Sequence, residues 1–148
     1  MPTRKASATW EGGLKNGKGS FKGESGAIAA QYNFSSRFES GSGSNPEELL
    51  AAAEAACFSM ALALGLEKNG TPATKVETTA AATIEAVPGG FGITTMKLNV
   101  QATVPKIDKN KFDQIAKETK EGCPVSKALK GNVDIQLEAR LIQQTYRE

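Results

Sequence analysis

One apolar stretch, Asn45 to Leu66 (NPEELLAAAEAACFSMALALGL), constrains the fold of everything around it. Asn45 is a good N-cap, because its side-chain oxygen can accept from a free amide of the first turn. Pro46 follows at the first helical position, where its missing N–H costs nothing. Glu47 and Glu48 complement the positive end of the helix dipole. From Leu49 onward only Glu54 and Ser59 interrupt the apolar run, so a helix packed on most of its sides is expected. Lys68-Asn69-Gly70 ends it, with Gly70 suited to a left-handed cap. The apolar length approaches a membrane span, but the alanine-rich composition and the embedded Glu54 favour a protein core.

A chain of 148 residues is most simply one domain, residues 1–148, with room for a hydrophobic core. The net charge is only +2. Its lysine clusters sit among acids without interleaved aromatics, so nucleic acid is not an expected partner. No apolar segment follows the basic Met1–Lys5, and no other run is long enough to span a bilayer, so a cytoplasmic protein is expected. There are two cysteines and no histidine. The missing histidine removes Ser-His and Cys-His nucleophile pairs and every His-based metal site. Two distant cysteines in a cytosolic chain are more often free thiols or a redox pair than a structural staple. Catalysis, if any, must use thiol, carboxylate and guanidinium groups, with no bound metal or cofactor.

Lys5–Gly13, Gly17–Lys22 and Gly26–Tyr32 read as short antiparallel strands joined by glycine turns. Ser35–Ser44 (SSRFESGSGS) has the composition of a flexible loop, and it delivers Arg37 just ahead of the central helix. Pro72–Ala86 and Phe91–Val104 alternate around the turn Val87-Pro88-Gly89-Gly90 and predict a long hairpin. Ile93, Met96, Leu98, Val100 and Val104 are its candidate inward residues. Asp108–Glu121 is an amphipathic helix with Phe112, Ile115 and Ala116 on its apolar stripe. Cys123–Leu129 predicts a short helix beginning at the cysteine, and Asn132–Gln143 a final strand. Helices and strands are grouped rather than alternating, which predicts an α+β fold.

Cys57 lies deep in the central helix, where a cysteine is ordinarily inert core and burial raises its pKa. It becomes a nucleophile only if positive charge is supplied. Cys123, followed by Pro124, is placed at a helix N-cap, where free amides and the dipole favour thiolate. It is equally a small capping residue without reactivity. Spacing alone does not bring the two cysteines together. If they meet, Cys57 can attack a peroxide and Cys123 can resolve the sulfenic acid as a disulfide, which an external dithiol must then reduce. Arg37 is either a solvated loop residue or the source of positive charge, and Glu47 either a dipole complement or a carboxylate that holds Arg37 in bidentate geometry. Glu47 and Cys57 are separated by about 15 Å along one helix, at 1.5 Å per residue. Two antiparallel copies of the helix would bring Arg37 and Glu47 of one chain to Cys57 of the other, so a twofold dimer with composite sites is expected.

At these residues the sequence resembles the OsmC/Ohr organic hydroperoxide reductases, and the OsmC branch in particular. The resemblance is carried by NPEELLAAAEAACFSMAL, by SRFESGSGS before it, by EGCPVSKAL late in the chain, and by TWEGGLKNGKG and ESG near the start. It implies one OsmC-like domain, with bent antiparallel sheets wrapped around long central helices in an intertwined homodimer. It also implies a thiol-dependent peroxidase that reduces organic hydroperoxides to alcohols in oxidative and osmotic stress. By the same resemblance Cys57 matches the attacking cysteine and Cys123 the resolving one, while Arg37 matches the activating arginine and Glu47 the glutamate that orients it. A lipoyl-type dithiol is the reductant the family implies.

One position departs from the pattern: relatives often carry histidine where this chain has Glu54. Lying three residues before Cys57, Glu54 would oppose thiolate formation if it faced the thiol, but it is expected to face solvent or a partner lysine. Phe58, Met60 and Leu62, with Phe34 or Phe38, are candidate walls for an alkyl or fatty-acyl peroxide. The rival functions are a non-catalytic module that holds a small hydrophobic ligand and a purely structural dimer.

Overall fold

The computed structural model describes residues 1–142. They fall into two compact units, Met1–Leu49 and the chain from Leu50 onward.

In the first unit β1 (Ala6–Glu11), β2 (Lys18–Gly23) and β3 (Ala29–Tyr32) form an antiparallel meander in chain order. Gly19 pairs with both Trp10 and Tyr32. A Cβ there would lie 2.6 Å from atoms of both rings, so only glycine lets them approach, with centroids 5.4 Å apart. The start of the expected Gly/Ser loop is instead a short helix, α1 (Phe34–Phe38). Its cause is a capping box. Asn33 accepts from the Ser36 amide at 2.8 Å, and Ser36 Oγ accepts in return from the Asn33 amide at 2.9 Å. Buried Ser36 also donates to the Ser44 carbonyl at 2.8 Å, and Asn45 Nδ2 donates to the Ser36 carbonyl at 2.8 Å. The glycine-rich segment is therefore tied down at both ends.

The central helix, α2, spans Pro46–Lys68. Asn45 caps it as expected, accepting from the Glu48 amide at 2.8 Å, and Gly70 closes it at φ +83°. It is long and apolar enough to cross a membrane. Glu54, Phe58, Leu62 and Leu66, one helical turn apart, are fully buried. The expectation of packing on most sides does not hold within one chain, for the opposite face leaves Met60 79% and Leu64 50% exposed, with Ala56 beside them.

The second unit holds β4 (Lys75–Val87) and β5 (Gly90–Thr103), an antiparallel hairpin turned by Pro88 and Gly89, the latter at φ +88°. Thr83 pairs with Thr95 but Ile84 pairs with Ile93, so Thr94 is an extra residue. This bulge shifts the alternation. Beyond it Met96, Leu98, Val100 and Ala102 are buried in strict alternation, whereas Ile93 on its far side is only half-buried. The helices α3 (Lys109–Gly122) and α4 (Pro124–Leu129) carry the chain back to β6 (Asp134–Ile142), which pairs parallel to β5. A parallel neighbour needs such a crossover, so the expected antiparallel pairing holds for β1–β3 and β4–β5 but not for β6. Gln143, the expected end of this strand, lies outside the described residues. Phe58, Leu62 and Leu66 pack in one core with Met96, Leu98, Val100, Phe112 and Ile115. Gly65 lets α2 and α3 approach closely, since a Cβ there would sit 3.0 Å from Ile115 Cγ2.

Candidate active site

The second unit brings both cysteines together. Cys57 stands on α2 between Glu54 and Phe58 of the inward stripe, and it is half-buried. Cys123 is the hinge residue between two helices. Its amide donates to the Thr119 carbonyl at 2.9 Å as the C-cap of α3, and its own carbonyl accepts from the Lys127 amide at 2.9 Å at the start of α4. Its side chain makes no capping bond and points inward, only 1% exposed. The Cys123 thiol donates to Cys57 Sγ across 2.8 Å. A disulfide bond is about 2.05 Å long, so bond formation asks for a small movement of either side chain.

Cys123 is not the thiolate that a helix N-cap suggested. Burial, and then the hydrogen bond to Cys57, push its thiol up to about 11, while the Ser126 and Val125 amides and the Ser126 hydroxyl pull it down by less. Below that value the thiolate fraction falls about tenfold per pH unit. Alkylation of Cys123 in the reduced protein should therefore be slow at neutral pH and rise with pH until about 11. Peptide mass spectrometry after timed iodoacetamide pulses would read this, and a pH-independent rate near neutrality would contradict it.

Glu54 faces neither solvent nor a lysine, contrary to expectation. It is fully buried; Oε1 accepts from Ser126 Oγ at 2.6 Å, and Oε2 lies 3.5 Å from Cys123 Sγ as an acceptor. Its spacing from Phe58 and Leu62, four and eight residues, already put it on the inward stripe. Ser126 was not among the expected site residues, and its one signal was a place one turn after Cys123 in a helix that packs inward.

The first unit brings Arg37 and Glu47 together. Arg37 lies in the last turn of α1, and its Nε donates to Glu47 Oε1 at 2.9 Å. The contact is a single bond rather than the bidentate pair expected, which leaves the terminal guanidinium nitrogens outside it. Glu47 is 5% exposed, and its Oε2 is buried without a partner among the described residues. The Arg37 guanidinium also lies 5.3 Å from the Phe38 ring, which in turn packs against Phe34 at a 43° tilt with centroids 5.1 Å apart. Of the expected pocket walls, Phe58 and Leu62 are fully buried in the core and Met60 is exposed, whereas Phe34 and Phe38 remain half-buried beside Arg37.

Residues 39–138 match the family model described as OsmC-like protein. The chain is 47% identical over 133 residues to the peroxiredoxin OsmC of Escherichia coli (strain K12), an alignment covering 89% of this chain and 93% of that one. It is 36% identical over 104 residues to the organic hydroperoxide resistance protein OhrB of Bacillus subtilis (strain 168), covering 69% and 74% of the two chains. The fold is similar to the crystal structure of the Bacillus subtilis OhrB, with a TM-score of 0.71 at 26% identity over 92% of this chain and 98% of that one.

Proposed function

The chain belongs to the OsmC family, and on that premise we propose that it is a thiol peroxidase that reduces organic hydroperoxides to alcohols in oxidative and osmotic stress defence. One observation carries this function: two free thiols from distant parts of the chain stand 2.8 Å apart, one half-exposed and one buried behind it. Cys57, the accessible sulfur, attacks the terminal peroxide oxygen as thiolate. The O–O bond breaks, the alcohol leaves with a proton, and Cys57 becomes a sulfenic acid. Cys123 then displaces that oxygen as water and closes the disulfide, which an external dithiol reopens.

Arg37 serves as the cation beside the reacting sulfur and the developing alkoxide, and Glu47 orients it. The terminal guanidinium nitrogens outside the Glu47 contact suit that role. Residues 1–148 act as one OsmC-like domain, and two chains form a homodimer with composite sites, Arg37 of one copy serving Cys57 of the other. The apolar outer face of α2, with Met60 and Leu64 exposed, supports such pairing, because a face of this kind gains by covering. The reductant is a lipoyl-type dithiol, free or carried by a protein. The chemistry belongs in the cytoplasm, where thiols such as these are kept reduced.

The test is a free-thiol count before and after one equivalent of cumene hydroperoxide. The reduced protein should lose both thiols together. Two thiols that survive for minutes would overturn the proposal.

A further inference from the structure

The peroxidase cycle as described leaves one step without a proton acceptor. Cys123 must give up its proton to attack Cys57, yet it is 1% exposed and its thiol is held at about 11. At neutral pH hydroxide is too scarce to take that proton quickly, so a base placed beside the thiol is the faster route. Among the described residues, its Sγ donates toward Cys57 Sγ at 2.8 Å and Glu54 Oε2 at 3.5 Å. Once Cys57 is oxidised its sulfur is the electrophile, which leaves the Glu54 carboxylate as the acceptor among the described residues. Ser126 Oγ, 2.6 Å from Oε1, holds that carboxylate in place. These are the groups that face Glu54: Cys123 and Ser126 from the start of α4 and, beyond Cys123, Cys57 from its own helix. No lysine or arginine pairs with it among the described residues.

We propose that Glu54 is the general base of the resolving step, taking the Cys123 proton as the disulfide forms. The Cys123 S–H bond breaks toward Oε2, and the Cys123 sulfur bonds to Cys57. The Cys57 S–O bond breaks, and the proton passes from Glu54 to the departing hydroxide, which leaves as water. Cys123 is oxidised, the Cys57 sulfur is reduced from the sulfenic state, and Glu54 ends as it began.

The place of this step in a catalytic cycle rests on the peroxidase function proposed above, but its test needs no peroxide. Dithiodipyridine reacts with Cys57 and releases one thiopyridone. Cys123 then attacks the mixed disulfide and releases a second, with the same proton to dispose of. In Glu54→Gln the second release should slow about 10²-fold or more at neutral pH, the ordinary contribution of a placed base. Its rate should also climb about tenfold per pH unit as hydroxide takes over, more steeply than in the native protein. Glu54→His, which restores a base, should recover much of the rate. A second release at the native rate in Glu54→Gln would overturn the proposal. A slow one with the native pH profile would also overturn it, leaving Glu54 a packing role only. Failure of the peroxide thiol count alone would remove the peroxidase function and leave this step standing.

Discussion

In Cys57→Ser, hydroperoxide turnover coupled to a dithiol should fall by about 10⁴-fold or more, the scale seen when an enzyme loses its nucleophile. The variant should also keep its one remaining thiol after a stoichiometric peroxide pulse. Cys123 cannot stand in, because it is 1% exposed and its thiol is held at about 11. Cys123→Ser should behave in the opposite way. It should lose its thiol to peroxide, form no intramolecular disulfide, and pass on to sulfinic acid under excess oxidant. Mass spectrometry of both variants separates these outcomes. A Cys57→Ser protein that lost its thiol at the native rate would make Cys123 the attacking residue.

Arg37→Ala should cost about 10²–10³-fold in kcat/KM toward an organic hydroperoxide, the usual loss when one placed donor to a developing oxyanion is removed. Arg37→Lys should recover little, since an ammonium lacks the Nε that meets Glu47 and the planar fork beyond it. The proposed composite site adds a sharper expectation. Arg37→Ala and Cys57→Ser, one strongly impaired and the other inactive alone, should exceed the activity of either when unfolded and refolded together. A mixed pair holds one site with an intact cysteine from one copy and an intact arginine from the other. Mixtures no more active than their components would mean that each chain supplies its own arginine, and the shared site would be abandoned.

The elements legible in the sequence are those fixed by local chemistry. Asn45-Pro46 and Gly70 bound α2, the alternation around Pro88-Gly89 marked the hairpin, and Gly122-Cys123-Pro124 separated α3 from α4. Both pairs of candidate residues, Cys57 with Cys123 and Arg37 with Glu47, are in contact. What escaped depended on partners far along the chain. Glu54 looked like a surface acid because Ser126, 72 residues away, does not show itself beside it. Cys123 looked like an activated cap because its burial is supplied by tertiary packing rather than by the helix it begins. The α1 helix was hidden for a different reason. Asn33 and Ser36 form its capping box, but the glycines and serines that follow dominate any compositional reading. The Thr94 bulge and the parallel course of β6 are likewise properties of strand pairing, not of any one strand.

The short sulfur–sulfur separation also has a mechanical side. Cys57 and Cys123 lie 66 positions apart, so a bond between them would close a loop containing nearly half the chain. By chain entropy alone a cross-link of that span disfavours the unfolded state by about 4 kcal/mol. An oxidant would thus leave behind a tougher molecule than it met, and reduction would relax it again. Heat resistance in this protein becomes a reporter of its recent redox history.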